Sequence, residues 1–353
     1  MTSIAAFLPK GCFGYRGGRQ CCKGENTVAK VAILDDWQGV ARSSTDWSLL
    51  SARAELVFFA HSFEGEDDAA TQLAEFEIVL SMRERTPLPA SLINRLPLLR
   101  MLGITGARNA SLDTAACTAR GVLVCNTVGD PARAATAELA LGLLLAAARA
   151  IPSADANLRA GRFQQGLPVG ISLAGKTIGI VGLGRLGSLM AHYCRALGMT
   201  VLAWSQNLTA ERAQAAGATL VSKETLLSTS DAVSIHLVLS PRSRGLIGAT
   251  DIALMKPGAI LINTSRGPIV DEEALLAAVQ SHRIVAALDV FDREPLPLTH
   301  PLRTAPNTVL TPHLGYGVRD TWTEFYRQSM ENAVAFLDGK PVRVTNPEVI
   351  RAP

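Results

Sequence analysis

The stretch TIGIVGLGRLG at residues 177–187 decides the fold, because it joins an apolar run to a glycine pattern of the form G-x-G-x-x-G. The run TIGIV predicts a buried strand, and the apolar spacing that starts at Leu186 predicts an amphipathic helix. Between them, Gly182 permits a tight turn, Gly184 lets the backbone approach a phosphate, and Gly187 lets the helix pack closely on the strand. The helix N-terminus would then present free N–H groups to phosphates. The stretch therefore predicts a unit that binds a dinucleotide.

The next strand does not end in the acid that usually binds the adenosine ribose of NAD. The run TVLAW is followed by Ser205, Gln206 and Asn207, which are neutral and would not repel the extra phosphate of NADP. No arginine follows at once to attract that phosphate, and the nearest are Arg185 and Arg212. The sequence leaves NAD and NADP open, with a slight preference for NAD because no cation lies at the strand end.

Apolar runs alternate with helical patterns along the chain from residue 28. Strands are predicted in VAILDD, ELVFFA, EIVLS, LRMLGI and VLVCN, and then in TIGIV, TVLAW, AVSIH, AILINT, IVAALDV and TVLTPH. Helices are predicted in STDWSLLSA, EDDAATQLAEF, LPASLINRL and SLDTAACTAR. Such alternation predicts parallel sheets covered on both faces. We therefore expect an α/β protein with two doubly wound parallel-sheet (Rossmann-like) domains and a cleft between them for the ligands.

Two longer helices are predicted to connect these halves. The first has Asp130 as its N-cap and Pro131 at its first position, and it runs to Ile151 before Pro152 stops it. The second covers about residues 319–338. We expect it to pack on the first unit, which would make that domain discontinuous.

The predicted domain boundaries follow from these elements. Residues 1–28 are rich in glycine and basic residues and lack an apolar period, so they predict a disordered extension. Residues 29–127 plus 318–353 would form the substrate (catalytic) domain, and residues 128–317 the dinucleotide-binding domain.

Composition limits the other classes of function. A length of 353 residues suits two domains. The net charge is +3 and the basic residues are scattered, which argues against a nucleic-acid partner. The longest apolar run, residues 139–148, is shorter than the roughly 20 residues that cross a bilayer. No membrane span is therefore predicted.

The six cysteines show neither zinc spacing nor an even disulfide framework. Cys117, Cys125 and Cys194 lie in apolar stretches and are predicted to be buried thiols. The other three lie within the first 22 residues. These patterns predict no metal site and a cytoplasmic protein.

Three strand ends of the second half carry polar side chains. Arg266 follows AILINTS, Glu294 follows IVAALDVFDR, and His313 follows TVLTP. Because the carboxyl ends of parallel strands share one edge, these side chains would converge. Arg266 would bind a substrate carboxylate with its planar guanidinium, and His313 would exchange a proton with a ketone oxygen. Glu294 would fix the tautomer of the imidazole.

Spacing alone leaves alternatives to these roles. An arginine at a strand end is often part of a surface ion pair. His300 also lies near Glu294 in sequence, and His236, at the end of AVSIH, is a further candidate for the proton donor.

Four ordered motifs carry a resemblance to a known family: VGLGRLG, NTSRGPIVDEEAL, AALDVFDREPLP and VLTPHLG. Together they resemble the D-isomer-specific 2-hydroxyacid dehydrogenases, a family that includes phosphoglycerate dehydrogenases, glyoxylate and hydroxypyruvate reductases, and the C-terminal-binding corepressors. The likeness covers roughly residues 29–346. It implies that Arg266, Glu294 and His313 are the catalytic residues.

The resemblance also implies contacts with the cofactor. Asp289 would meet the nicotinamide amide, Thr264 would lie along the cofactor, and His236 and Pro241 would border its path. The expected cofactor-binding residues are then Gly182, Gly184, Arg185, Leu186, Gly187, Ser205, Gln206, His236, Pro241, Thr264 and Asp289.

Two segments of the first half, MRERTPLP and GITGARN, look like the substrate loops of the family. Arg83 and the backbone near Thr105 and Gly106 would then touch the substrate carboxylate. Arg83 and Arg85 could recognise a second anionic group or could be solvated loop charges. Tyr316 stands where the family often has a smaller residue, which would narrow the pocket. The resemblance further implies a homodimer formed through the cofactor domain, with the apolar helix at 131–150 in the interface.

The predicted function is hydride transfer between NAD or NADP and a small 2-oxo acid or D-2-hydroxy acid, with His313 as proton donor and acceptor. The alternative is a dinucleotide-sensing binding protein of the corepressor type without significant turnover. A corepressor of this family keeps the Arg–Glu–His trio, so the trio alone does not separate the two.

Overall fold

The computed structural model describes residues 28–129 and 134–351 of the chain. It divides into two compact units, unit 1 (Met1–Val128 with Arg327–Pro353) and unit 2 (Gly129–Tyr326). The expected disordered extension and the expected N-cap Asp130 lie outside the described residues, except for residue 28. The expected boundaries were at 127/128 and 317/318. The second of these precedes the last long helix, whereas the structural division falls within it, because the helix continues without a break over Arg319–Leu337.

Unit 1 is built on a five-stranded parallel sheet with the strand order β2-β1-β3-β4-β5. Its strands are β1 (Ala29–Ile33), β2 (Ala54–Phe58), β3 (Ile78–Ser81), β4 (Met101–Ile104) and β5 (Leu123–Asn126). Its helices in the first half of the chain are α1 (Ala41–Ser44), α2 (Ser48–Ser51), α3 (Glu66–Leu73), α4 (Ala90–Ile93) and α5 (Thr114–Ala119). Strand β3 is buried at every position, as its continuous apolar run predicts.

Unit 2 is built on a seven-stranded parallel sheet with the order β12-β11-β10-β9-β6-β7-β8. Its strands are β6 (Thr177–Val181), β7 (Thr200–Trp204), β8 (Thr219–Leu220), β9 (Ala232–Ile235), β10 (Ala259–Asn263), β11 (Ile284–Leu288) and β12 (Thr308–Leu310). Its helices are α6 (Ala135–Ala148), α7 (Ile151–Arg159), α8 (Arg185–Ala196), α9 (Ala210–Ala215), α10 (Lys223–Thr229), α11 (Ala249–Leu254) and α12 (Glu272–Gln280). Helix α13 (Arg319–Leu337) begins in unit 2 and ends in unit 1, and α14 (Glu348–Arg351) follows it.

Helices cover both faces of the unit 2 sheet, as the continuous apolar strands predict. Ile260 and Ile262 of β10 pack into one core with helices α6 and α8, and Leu261 between them packs into a second core with α10 to α12. Both sheets therefore have the expected parallel α/β architecture. In each sheet the strand order reverses at one point, between β1 and β3 in unit 1 and between β6 and β9 in unit 2. Such switch points are where open α/β sheets bind ligands.

The prediction that Pro152 stops a single long helix is wrong. Helix α6 ends at Ala148, Ala150 takes a left-handed conformation with φ 51°, and Pro152 lies in the first turn of the next helix, α7. Proline is tolerated there because the first-turn N–H groups have no partner within the helix. The described part of this helix starts at Ala135, with Ala134 as its N-cap.

Among the described residues no single helix is long and apolar enough to cross a membrane, and only α6 and α7 together reach that length and composition, as a pair bent by 64°. Cys117, Cys125 and Cys194 are buried free thiols, as predicted, and burial raises the pKa of each to about 12. The remaining three cysteines lie outside the described residues.

Candidate active site

The glycine loop lies at the switch point of the unit 2 sheet. It connects β6 to α8, and Gly184 is the N-cap of this twelve-residue helix. The N–H of Gly182 donates to the carbonyl of Trp204 at the end of β7 (2.8 Å). The amide of His236, which follows β9, donates to the carbonyl of Val181 (2.8 Å). The loop is thus fixed between the two neighbouring strands.

Each glycine of the loop meets a different requirement. Gly182 has φ +99°, and a Cβ there would come within 2.6 Å of the carbonyl oxygen of His236. A Cβ at Gly187 would come within 2.2 Å of the carbonyl oxygen of Gly182, so the helix could not approach the loop. A Cβ at Gly184 would meet no atom of the described residues within 4 Å. Open space therefore lies in front of the helix N-terminus, which fits a bound pyrophosphate.

Two buried polar atoms that follow β9 and β10 also fit a bound cofactor. Thr264, directly after β10, has a buried Oγ1 without a hydrogen-bond partner in the described chain. His236 bonds through Nε2 to Ser234 Oγ (2.9 Å), while its buried Nδ1 has none within residues 28–129 and 134–351. Burial lowers the pKa of His236 to about 4, so its ring is neutral near pH 7. Buried polar atoms of this kind normally have a partner, and a dinucleotide could supply it.

The other expected cofactor residues lie around the same edge. Arg185 and Leu186 begin helix α8, and Ser205 and Gln206 follow β7 directly. Pro241 lies exposed in the loop after β9. Their contact with a cofactor stays a prediction.

His313 and Glu294 form the closest ionisable pair of the predicted trio. His313 Nδ1 lies 2.5 Å from Glu294 Oε2, and Glu294 Oε1 accepts from the N–H of Phe291 (2.9 Å). Burial would raise the pKa of Glu294, but the hydrogen bond and the charge of His313 outweigh it, so this pKa lies below its usual value. Glu294 is therefore ionised near neutral pH and accepts the Nδ1 proton.

The backbone of His313 is held by Asp289. His313 has φ 54°, and its N–H donates to the carbonyl of Asp289 (2.8 Å). The carboxylate of Asp289 accepts from Thr311 Oγ1 (2.6 Å) and from the amides of Leu314 (2.7 Å) and Gly315 (2.9 Å). Asp289 is fully buried, and this burial raises its pKa. Asp289 thereby fixes the loop that presents His313, a role that the sequence does not reveal. Its contact with the nicotinamide amide stays a prediction.

Arg266 lies beside the segment that carries Glu294. Its neighbour Gly267 packs so closely on that segment that a Cβ would come within 2.2 Å of the carbonyl carbon of Phe291. Asn263 Nδ2 donates to the carbonyl of Arg266 (2.9 Å), and the charge of Arg266 contributes to lowering the pKa of Glu294. The three residues of the predicted trio are thus brought together at the carboxyl edge of β10, β11 and β12.

The alternative histidines lie elsewhere. His300 Nε2 lies 3.0 Å from Glu272 Oε1, and its Nδ1 accepts from the amide of Leu302 (3.3 Å). His236 bonds to Ser234 against the glycine loop.

Tyr316 packs edge-on against His313, with 5.6 Å between the ring centroids. Its aromatic ring borders the imidazole, and its effect on the width of the pocket stays a prediction.

The predicted substrate residues of unit 1 also cluster. Arg83 follows β3 with φ 53°, and its N–H donates to Thr105 Oγ1 (2.8 Å). Asn109 Nδ2 donates to the carbonyl of Arg83 (2.6 Å), and Arg83 Nη1 donates to the carbonyl of Thr105 (3.3 Å). Gly106 has φ +86°, and its N–H donates to Thr127 Oγ1 (2.8 Å). Asn109 and Thr127 were missed, because a polar residue in a loop gives no sequence signal of what it holds.

Comparison with known proteins identifies the family. Residues 141–315 match the family model described as "D-isomer specific 2-hydroxyacid dehydrogenase, NAD binding domain". The glyoxylate reductase of Aeropyrum pernix is 40% identical over 269 residues, which cover 74% of this chain and 80% of that protein. The chain belongs to the D-isomer-specific 2-hydroxyacid dehydrogenase family.

Two further proteins are also similar to this chain in sequence and structure. The D-3-phosphoglycerate dehydrogenase of Archaeoglobus fulgidus is 37% identical over 278 residues, 78% of this chain and 52% of that protein, so the chain spans about half the length of this relative. The crystal structure of a phosphoglycerate oxidoreductase from Vibrio cholerae matches with a TM-score of 0.83 and 35% identity, over 88% of this chain and 99% of that one.

The predicted family and the predicted two-sheet α/β fold are therefore confirmed. The description of the family model, a dehydrogenase with an NAD-binding domain, agrees with the predicted class of enzyme. The relatives named above are enzymes of this dehydrogenase family. The comparisons thus do not favour the alternative of a dinucleotide-sensing binding protein.

Proposed function

We propose that this protein interconverts a small 2-oxo acid and the corresponding D-2-hydroxy acid. The observation that carries the proposal is the pairing of His313 with an ionised Glu294 beside Arg266, on the edge of the sheet that also carries the glycine loop. A proton carrier, a carboxylate-binding cation and a dinucleotide site are the parts that reduction of a 2-oxo acid requires.

The glycine loop of Gly182, Gly184 and Gly187 would hold the nicotinamide cofactor, which would supply the hydride that C2 of the oxo acid accepts. Arg266 binds the substrate carboxylate and orients the carbonyl group. As the carbonyl oxygen gains charge, His313 gives it the proton of Nε2, and Glu294 stabilises the charge of the imidazole through Nδ1. In the reverse direction Nε2 takes the proton from the hydroxyl group. His313 is the catalytic acid and base, and Glu294 is its positioning residue.

We propose NAD(H) as the preferred cofactor. Ser205 and Thr209 flank the short segment that follows strand β7. Within this segment Gln206 and Asn207 are exposed and uncharged. Arg212 does not lie at the strand end. It lies in the next helix, α9, whose N-cap Thr209 accepts a hydrogen bond from the Arg212 N–H. The match to the model of an NAD-binding domain supports a nicotinamide cofactor, and the choice of NAD(H) over NADP(H) rests on the uncharged strand end.

Three further assignments are part of the proposal. Arg83 with the backbone of Thr105 and Gly106 would contribute to substrate binding from unit 1. The protein would act in the cytoplasm, which is consistent with its buried free thiols. It would be a homodimer through unit 2, where α6 leaves Leu141 and Leu145 partly exposed. Light scattering at micromolar concentration would test the dimer.

The direct test is oxidation of NADH and of NADPH, in parallel, with glyoxylate, hydroxypyruvate and pyruvate. Turnover with at least one acid is expected, with a higher kcat/KM for NADH than for NADPH. Cofactor binding without turnover of any acid would contradict the proposal and would favour a binding protein. A higher kcat/KM for NADPH would contradict only the choice of cofactor.

A further inference from the structure

Strand β10 ends at Asn263, and the side chain of Asn263 holds the turn that presents Arg266. Asn263 is only 1% exposed, and its Nδ2 donates to the carbonyl of Arg266 (2.9 Å). Its Oδ1 accepts from the N–H of Ser265 (3.0 Å), a bond to the second residue ahead that asparagine often makes in turns. Because a carbonyl can only accept and an N–H can only donate, one orientation of the amide satisfies both partners.

Two further hydrogen bonds hold this turn within unit 2. Ser265 Oγ donates to the carbonyl of Ile235, at the end of the neighbouring strand β9 (2.8 Å). The carbonyl of Arg266 also accepts from the N–H of Ile269, over 3.3 Å. The bond from Asn263 is the shorter of the two on this carbonyl. The buried amide of Asn263 is therefore the main attachment of the Arg266 backbone to the strand.

The guanidinium of Arg266 depends on the same backbone. Its Nη1 donates to the carbonyl of Ser265 (2.7 Å). This carbonyl belongs to the peptide between Ser265 and Arg266, and Asn263 holds the groups on either side of that peptide, the N–H of Ser265 and the carbonyl of Arg266. The amide of Asn263 thus sets the direction of the carbonyl on which the guanidinium rests.

The main chain of Asn263 supports the other side of the site. Its carbonyl accepts from the N–H of Asp289 (3.0 Å), and the carbonyl of Asp289 in turn accepts from the N–H of His313 (2.8 Å). The side chain of Asn263 therefore acts on Arg266, whereas its main chain acts on the loop of His313. A substitution of the side chain should move the guanidinium and leave the imidazole in place.

We propose that Asn263 is a positioning residue that orients the guanidinium of Arg266 toward the substrate carboxylate. This inference rests on the proposed function, which assigns that carboxylate to Arg266. Asn263 touches no reacting atom and acts only through Arg266. A cation that binds a carboxylate with two parallel hydrogen bonds is sensitive to small displacements, so loss of this support should weaken substrate binding more than the chemical step.

The first test is Asn263→Asp, which keeps the shape of the side chain and the acceptor for Ser265. It replaces the Nδ2 donor by an oxygen that faces the carbonyl of Arg266. We expect KM for glyoxylate to rise by about tenfold, with kcat changed by less than about threefold. Cofactor affinity, measured by fluorescence titration, should stay near the wild-type value. A residue with a merely structural role would instead lower kcat, cofactor affinity and Tm together.

A double-mutant cycle with Arg266→Lys tests whether Asn263 acts through the guanidinium. Once the guanidinium is absent, Asn263→Asp should raise KM by no more than about twofold over Arg266→Lys alone. A new carboxylate that repelled the substrate directly would raise KM by its full factor in both backgrounds. Asn263→Ser repeats the cycle without a charge, and it replaces Asn263→Asp if that variant does not fold.

The matched control is Asn157→Asp, at a second buried asparagine of unit 2 whose Nδ2 donates to a loop carbonyl, that of Gln165 (2.8 Å). It should leave KM unchanged. An unchanged KM in the Asn263 variants, equal losses of kcat and cofactor affinity, or factors that multiply in the cycle would overturn the inference while the proposed function stands. Absence of wild-type turnover with every 2-oxo acid would overturn the proposed function and this inference with it.

Discussion

His313 Nδ1 and Glu294 Oε2 lie 2.5 Å apart, although 19 positions of sequence and one strand separate the two residues. The lowered pKa of Glu294 means that its carboxylate is ionised and accepts the Nδ1 proton. Nε2 is then the ring nitrogen that can exchange a proton with a substrate. Since Asp289 fixes the backbone of the same loop, both the position and the tautomer of the imidazole are set before substrate binds.

Replacing His313 by glutamine should remove the proton donor without removing the cofactor site. We expect kcat for glyoxylate reduction to fall by about 10²- to 10⁴-fold, the usual contribution of general acid catalysis. Cofactor binding, followed by quenching of tryptophan fluorescence, should be retained. His300→Gln is the matched control, because His300 pairs with Glu272 outside the trio. A large loss of kcat in His300→Gln, with His313→Gln active, would exchange their roles.

Replacing Arg266 by lysine should mainly weaken substrate binding. An ammonium group cannot donate the two parallel hydrogen bonds of a guanidinium to a carboxylate, so KM for the 2-oxo acid should rise by about tenfold or more. The measurement is the dependence of rate on acid concentration at saturating cofactor. Arg159→Lys, at an exposed ion pair with Asp155, should leave KM unchanged. An unchanged KM in Arg266→Lys would assign the carboxylate to another cation.

Gly184→Ala should separate cofactor binding from folding. A Cβ there meets no described atom within 4 Å, so the cost to the free energy of unfolding should be at most about 1 kcal/mol, as for a weaker N-cap. The same Cβ would occupy the space in front of the helix N-terminus and should weaken cofactor binding by about tenfold. Fluorescence titration and thermal unfolding measure the two effects. Gly187→Ala, whose Cβ would clash with Gly182, should instead lower Tm strongly. Unchanged cofactor affinity in Gly184→Ala would place the pyrophosphate elsewhere.

The parallel sheets and the glycine loop were predictable from sequence because their signals are local. A buried strand, three glycines at fixed spacing and an amphipathic helix are all visible within residues 177–197. The convergence of Arg266, Glu294 and His313 was also predictable, since consecutive parallel strands end at one edge. Spacing alone did not separate His313 from His300, because which of them meets Glu294 depends on loop conformation between Pro295 and Pro312. Only the resemblance to the family favoured His313 at that point.

Other features could not be read from the sequence for a different physical reason. Asp289 holds the His313 loop and Asp35 holds the segment with Arg85 through hydrogen bonds between residues distant in sequence. Pro152 was misassigned because a proline signals either the end of a helix or its first turn, and the left-handed residue Ala150 that decides between them has no distinctive side chain.

The buried carboxyl group of Asp35 should make stability depend on pH. Its burial raises its pKa from 3.8 to about 6, against the opposing hydrogen bond from Thr86 and the charge of Arg85. Between these values the folded protein binds a proton that the unfolded chain has released, so stability falls as pH rises through this window. Asparagine resembles the protonated form. Asp35→Asn should therefore match the wild type near pH 4 and be more stable above pH 6, by up to about 3 kcal/mol.

Urea unfolding of the wild type and Asp35→Asn between pH 4 and pH 8 measures this difference. Asp338→Asn, which removes an exposed carboxylate paired with Arg53, is the control and should show no comparable change over the same range. If Asp35→Asn were less stable than the wild type at pH 7, the ionised carboxylate would be a net stabilising partner of Arg85. The segment with Arg83 would then depend on that charge, and Asp35→Asn should also raise KM for the 2-oxo acid at neutral pH.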